Sequence, residues 1–298
     1  LSLAPSVLAV ALIYALARAL HTGCQEVPPP GSATSRKSPS RSPALAAVTA
    51  ALLLATSGFQ LQYAQEARMY AWLLAAGLVA MWAQWQLLAQ PGRRANRWAV
   101  VYTLATAGVV YLHLYGALLP LAQAIFALGR LLVRRDWRAF GRWVLASLGA
   151  LLLFAPWLPH SLGIFGFGGW REGGSAAELP WRYWLAYTVS DGLAEPWRAW
   201  LPWLYLLLLA AGVRYWWRVQ RGAALYLLVL LLGPLAAVLA LAVRNPDYHE
   251  RYTIFLAAPL LLLVAGGVGV LDWRGRERHR AEHRHVGVPA APARGRAG

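Results

Sequence analysis

The chain has 298 residues, of which 59% are apolar and only 13% are charged, and 16 residues are Trp. This composition, with a mean hydropathy of +0.44, excludes an ordinary soluble domain and predicts a membrane protein. The formal net charge of +16 does not indicate a nucleic-acid partner, because the basic residues stand in short clusters between apolar runs rather than on one solvated face. The single cysteine, Cys24, excludes an internal disulfide.

Nine apolar runs of about the length that crosses a bilayer follow one another along the chain. They cover residues 1–20, 44–62, 69–88, 98–113, 114–133, 142–158, 200–217, 223–243 and 253–271. The stretch from Trp98 to Val133 is too long for one crossing, and the polar break "YLHLYG" divides it into two. The pattern predicts an all-α fold, a polytopic transmembrane helix bundle of about nine helices over residues 1–271.

Lys and Arg are distributed unevenly over the loops between these helices. Most of the 28 positive residues fall in alternate loops and in the C-terminal tail, and the positive-inside rule assigns that side to the cytoplasm. We therefore expect the N-terminus outside and the C-terminus in the cytoplasm. The Pro/Ser/Arg segment 26–43 and the basic tail 272–298 are too polar to bury a core and are predicted to be disordered.

Three histidines in this tail stand among many arginines. A polybasic end beside anionic membrane lipid therefore explains them better than a metal site does. They are His279, His283 and His285.

Three polar segments fall on the predicted outer side, namely "QYAQEARMY" (62–70), "YLHLYG" (111–116) and "RNPDYHERYT" (244–253). Ionisable groups at membrane depth are costly and usually face a cavity or a partner. These segments therefore supply the candidate substrate-binding residues, which are Gln65, Glu66, Arg68, Tyr70, His113, Tyr115 and Arg251.

Each of these candidates also has a simpler interpretation. At helical spacing Glu66 and Tyr70 would share one face, but an interfacial loop with an internal pair of Glu66 and Arg68 explains the segment as well. His113 alone is also compatible with an ordinary interfacial histidine. Arg251 suits an anionic headgroup or phosphate, and its alternative is an arginine that snorkels to the membrane surface.

The longest outer segment covers residues 159–199 and divides into a Gly-rich first half and an aromatic second half. The second half predicts a helix that lies in the interface and carries Trp181, Tyr183, Trp184 and Tyr187. It is interpreted either as a lid over a site or as a loop that rests on the membrane.

Three stretches, in this order, resemble the landmarks of a family of bacterial polytopic glycosyltransferases. They are "SGFQLQYAQEARMYAWLLAAGLVAMWAQWQLL", "YLHLYGALLPLAQAIFAL" and "ERYTIFLAAPLLLLVAGG". The family is related to protein O-mannosyltransferases and the lipid A aminoarabinose transferase, which share the C-type glycosyltransferase superfold. The resemblance covers most of residues 1–271. It implies transfer of a sugar from a polyprenyl-phosphate-linked donor to a lipid, glycan or protein acceptor, outside the bacterial inner membrane.

The family begins with a first helix and a large outer loop that bears an acidic catalytic motif, whereas this chain opens with "LSLAPSVLAV". We therefore expect either a fragment whose catalytic acid lies upstream of Leu1 or a chain whose start is misassigned.

The resemblance also implies roles for the candidate residues. Arg68 and Arg251 would stabilise the departing phosphate, and the other five candidates would shape the sugar pocket. No metal and no cofactor are predicted. Two alternatives stay open, a lipid or solute transporter and a noncatalytic membrane remnant.

Overall fold

The computed structural model of the protein describes residues 2–22, 42–164, 177–189, 193–242 and 249–270. The α-helices in these ranges are α1 (Leu3–Thr22), α2 (Ser42–Thr56), α3 (Gly58–Gln65), α4 (Tyr70–Ala89), α5 (Gly92–Leu112), α6 (Leu118–Arg134), α7 (Trp137–Phe154), α8 (Leu158–Ile164), α9 (Leu179–Thr188), α10 (Trp197–Val219), α11 (Arg221–Ala242) and α12 (257–270). Short 3₁₀ segments cover Leu114–Ala117, Ala155–Trp157 and Glu250–Leu256. The predicted disordered tail 272–298 and nearly all of segment 26–43 lie outside the described residues.

Six helical segments in the described ranges are long and apolar enough to cross a membrane, and α2 with α3 forms a bent pair that qualifies as one further span. Helices α5 and α10 have 21 and 23 residues, but each carries three arginines and is less apolar than those six. Every one of the nine predicted spans therefore contains a helix. The prediction of an all-α, polytopic transmembrane bundle is confirmed.

The second predicted span, 44–62, is broken at Ser57, where the two helices differ in direction by 53°. Ser57 has an extended backbone, and its hydroxyl accepts a hydrogen bond from the Gln60 backbone N–H, as an N-cap residue does. The Gln60 side chain in turn donates to the Ser6 hydroxyl at 3.3 Å inside the bundle. Because a polar contact fixes the bend, hydropathy alone could not predict it.

Helices α4 and α12 lie at the centre of the bundle, where they are buried more completely than the other spans. Long polar side chains in this interior bond to main-chain carbonyl groups of neighbouring helices. Tyr226 Oη donates to the Met81 carbonyl at 2.7 Å, and Trp85 Nε1 donates to the Ala19 carbonyl at 3.1 Å. Because no water reaches such groups in the membrane interior, these bonds satisfy the donors and connect α1 and α11 to α4.

The chain direction brings the three predicted polar segments to one end of the bundle. Helix α4 runs away from the turn that follows α3, and α5 returns to the same end, where the turn at 113–117 leads into α6. The 3₁₀ segment Glu250–Leu256 precedes α12 and packs against the turn at 114–117 and against α4. The candidate site therefore lies where these segments meet.

Candidate functional site

The turn between α3 and α4 carries three of the predicted site residues. The expectation that Glu66 and Tyr70 share a helical face is wrong, because Glu66 has an extended backbone (φ −76°, ψ 134°) and α4 begins only at Tyr70. The Ser2 hydroxyl donates to the Glu66 carbonyl, which satisfies this oxygen outside any helix. Gln65 is the last residue of α3 and is exposed.

The two charges of this turn form an ion pair at the rim of the bundle. Arg68 Nε lies 3.7 Å from Glu66 Oε2, and the Arg68 side chain is 55% exposed. A pair that is this exposed contributes at most about 1 kcal/mol to stability. The arginine therefore already has an anionic partner, and its side chain also hydrogen-bonds the Tyr70 hydroxyl.

Arg251 is buried, with 9% of its surface exposed, and stands in the 3₁₀ segment before α12. Its guanidinium carbon lies 5.5 Å from the ring centroid of Tyr70 and 5.6 Å from that of Tyr252, in range for cation–π attraction. The Nε atom is buried and has no hydrogen-bond partner in the described part of the chain. Among the carboxylates that the structure describes, none forms an ion pair with Arg251. A buried guanidinium that lacks a carboxylate partner among the described residues is complementary to an anionic ligand.

A group of stacked rings borders Arg251. The ring centroids of His113 and Tyr252 are 4.8 Å apart, and the rings of Tyr115 and Tyr252 are nearly parallel, with an interplanar angle of 6° and centroids 5.6 Å apart. Tyr70 closes the group, since its ring centroid lies 6.2 Å from that of His113. Flat apolar faces of this kind suit the C–H face of a ligand ring beside the charge.

The turn that holds two of these rings depends on local contacts. His113 has an extended backbone, and its Nδ1 accepts from the Tyr115 backbone N–H at 3.2 Å. A Cβ at Gly116 would overlap the Val109 carbonyl oxygen, so only glycine permits the turn to fold back on α5 this closely. Tyr115 is thereby brought beside His113.

His113 contributes no charge to the site at neutral pH. Burial, and to a smaller extent the positive charge of Arg251, lowers the pKa of its imidazole from 6.5 to about 4. Because Nδ1 accepts from the Tyr115 backbone N–H, the neutral ring carries its proton on Nε2 and can donate one hydrogen bond from there. Arg251 is therefore the buried cation of this group.

Three side chains of α9 that were not among the predicted site residues hold the segment of Arg251 in place. Arg182 of α9 forms an ion pair of 2.9 Å with Glu250, and Tyr187 Oη donates to the Thr253 carbonyl at 2.9 Å. Tyr183 Oη lies 3.0 Å from the Thr253 hydroxyl oxygen. The sequence predicted an aromatic helix here, either as a lid over a site or as a loop on the membrane. In the structure, α9 packs against the 3₁₀ segment Glu250–Leu256, which contains Arg251.

Four of the seven predicted residues form one group with Tyr252, namely Tyr70, His113, Tyr115 and Arg251. Tyr70 contacts His113 and Arg251, and Tyr252 contacts His113, Tyr115 and Arg251. Glu66, Arg68 and Gln65 lie on the adjoining turn. Tyr63, whose ring centroid is 5.2 Å from that of Tyr70, extends the aromatic group and was not predicted. Its place in "QLQYAQEARMY", seven residues before Tyr70, is the signal that could have revealed it.

The donor set favours an anion over a metal ion. Within the part of the chain that the structure describes, no group of three or more His, Cys, Asp or Glu side chains could hold a metal ion. A guanidinium between aromatic faces instead matches a phosphate or carboxylate group. The three histidines of the tail lie outside the described residues.

Comparison with known proteins gives one structural relative. No protein-family model and no curated protein matches the chain. The crystal structure of ArnT from Cupriavidus metallidurans in the apo state matches it with a TM-score of 0.54 at 15% sequence identity. The match covers 99% of this chain and 51% of ArnT, so the chain spans about half the length of that protein. At this identity the likeness shows the fold, and the chain is a polytopic helix bundle with a C-type glycosyltransferase-like fold.

Proposed function

We propose that the protein transfers a sugar from a polyprenyl-phosphate-linked donor to a lipid, glycan or protein acceptor on the extracytoplasmic side of a bacterial inner membrane. The observation that carries the proposal is Arg251, a buried arginine that contacts two tyrosine rings and has no carboxylate partner among the described residues. The fold supports it, because the matching structure, ArnT, is a lipid A aminoarabinose transferase. The donor, the acceptor and the side of the membrane are parts of this proposal.

The reaction divides into a leaving-group task and a proton-transfer task. The acceptor oxygen attacks the anomeric carbon, the bond from that carbon to the phosphate oxygen breaks, and the acceptor proton passes to a base. Arg251 would stabilise the negative charge on the departing lipid phosphate through its guanidinium N–H groups. Tyr115 and Tyr252 would pack against the sugar ring. We assign no base to a described residue.

A donor with separate labels in the sugar and in the prenyl chain distinguishes transfer from transport. The purified protein would be reconstituted into vesicles with a panel of such donors and with extracted membrane acceptors. We expect the sugar label to leave the prenyl lipid. Arg251→Ala should abolish this, whereas Arg94→Ala, at an exposed position on the opposite end of the bundle, should not.

Two results would contradict the transfer function. Donor that stays intact but changes leaflet would identify a transporter. Donor that stays intact and does not move would show that this chain neither transfers nor transports it.

We also propose that the end of the bundle that carries Arg251 faces the outside, because the clusters of arginine lie at the opposite end. In a Cys24→Ser background, Ala67→Cys lies in the turn before α4 and Arg138→Cys lies at the start of α7, and both positions are exposed. An impermeant maleimide applied to intact cells should label the cysteine at 67 and spare the one at 138. Equal labelling of both from outside, or labelling of 138 alone, would overturn this orientation.

A further inference from the structure

The Glu250 carboxylate lies next to Arg251 in the sequence but pairs with other residues. The carboxylate is 8% exposed, and its two oxygens lie 2.9 Å from an Arg182 guanidinium nitrogen and 3.2 Å from His249 Nδ1. Arg251 remains outside this group, and its buried Nε has no hydrogen-bond partner among the described residues. An acid and a base that are adjacent in the chain and both buried thus do not form an ion pair with each other.

This separation needs a physical cause, since opposite charges attract strongly where water is scarce. An unpaired buried carboxylate is costly, so Glu250 must have a cation nearby. Arg182 provides one from α9, which lies more than sixty residues earlier in the chain. Because the Glu250 carboxylate is neutralised by the Arg182 guanidinium, it is stable without an ion pair to Arg251.

Helix α9 is fixed in the position that this contact requires. Tyr187 Oη donates to the carbonyl oxygens of Glu250 and Thr253 at 3.2 and 2.9 Å, and Tyr183 contacts the Thr253 hydroxyl. Both tyrosine side chains are buried. These bonds hold one face of α9 against the 3₁₀ segment, so the Arg182 guanidinium is presented to Glu250 by a rigid element rather than by a free loop.

We propose that Arg182 is a positioning residue that occupies Glu250 and so keeps Arg251 open to the phosphate of a lipid-linked donor. This role rests on the proposed function and adds a residue of α9 to it. Loss of Arg182 would leave Glu250 without its main cation. The Arg251 guanidinium, next to it in the chain, would then be an available arginine partner, and a pair between Glu250 and Arg251 would compete with the phosphate.

The test measures binding of undecaprenyl phosphate to the whole chain in lipid nanodiscs, with undecaprenol as the neutral control. Arg182→Gln should weaken phosphate-lipid binding by about tenfold or more, which corresponds to about 1.4 kcal/mol. Glu250→Gln alone should bind no more weakly than the parent, because it removes a negative charge near the ligand. The double variant Arg182→Gln/Glu250→Gln should recover affinity to within about threefold of the parent.

The recovery separates positioning from a merely structural role, since a contact that only stabilised α9 would be lost in the double variant as well. Thermal unfolding of all four proteins monitors that structural effect independently. Parent-like affinity of Arg182→Gln, or a double variant as weak as Arg182→Gln, would overturn the positioning role while the parent still binds the phosphate lipid. A parent that binds undecaprenol as tightly as undecaprenyl phosphate would instead overturn the proposed function and this role with it.

Discussion

Replacement of Arg251 by Ala should weaken the binding of undecaprenyl phosphate by roughly 10²-fold, because removal of one partner from a buried, charged hydrogen-bonded pair commonly costs about 2 to 5 kcal/mol of binding free energy. Arg68→Ala should weaken it by less than about fivefold, since an exposed, paired surface charge is worth at most about 1 kcal/mol. The family resemblance implied the same role for both arginines. The structure separates them: Arg251 is buried and pairs with none of the described carboxylates, whereas Arg68 is 55% exposed and paired with Glu66.

The lysine variant tests the shape of the contact as well as its charge. Arg251→Lys should bind with intermediate affinity, because lysine keeps the charge but loses the planar fork and much of its stacking on Tyr70 and Tyr252. Binding would be measured in nanodiscs for each variant, with Arg94→Ala as a matched control and thermal unfolding as a check on folding. Equal losses for Arg68→Ala and Arg251→Ala in well-folded protein would contradict the distinction between the two arginines.

The positions of the spans could be predicted because the bilayer imposes one requirement on every crossing segment. About 20 apolar residues are needed to traverse the hydrocarbon core, and this signal depends only on local composition. The bend at Ser57 was missed because it depends on a serine cap and on the contact of Gln60 with Ser6. Neither contact changes the mean hydropathy of residues 44–62, so the hydropathy pattern predicted a single helix there.

The candidate site was predictable to the extent that it follows from counting crossings. Once α4, α5 and α12 are placed, Tyr70, His113 and Arg251 must lie at the same end of the bundle. The aromatic residues of α9 marked it as a helix, but the pairing of Glu250 with Arg182 was not predictable, because no local pattern indicates which carboxylate Arg182 contacts. The contact that keeps the Glu250 carboxylate away from Arg251 therefore became visible only in the folded structure.

Helices α10 and α12 cross in close contact at two glycines, Gly212 and Gly267. A Cβ at Gly212 of α10 would overlap the Leu263 carbonyl oxygen and stand 2.7 Å from the carbonyl carbon. A Cβ at Gly267 of α12 would likewise overlap the Leu208 carbonyl oxygen. The two glycines therefore permit backbone-to-backbone contact, as small residues do between membrane helices. The carbonyl groups that a new methyl group would meet belong to helices and cannot rotate away.

Gly212→Ala should therefore destabilise the protein by about 3 kcal/mol or more, at the upper end of the cost of overpacking, because two helices must separate rather than one side chain turn. The matched control is Gly108→Ala in α5, where a Cβ would meet nothing within 4 Å. That change should leave stability the same or raise it by up to about 1 kcal/mol, since alanine is the better helix former. Thermal unfolding in detergent, followed by the fluorescence of the many tryptophans, would measure both variants beside the parent. Because α12 follows directly from the segment that holds Arg251, Gly212→Ala should also reduce binding of undecaprenyl phosphate. Unfolding temperatures for Gly212→Ala and Gly108→Ala that match would show that α10 and α12 are not in backbone contact in the membrane protein.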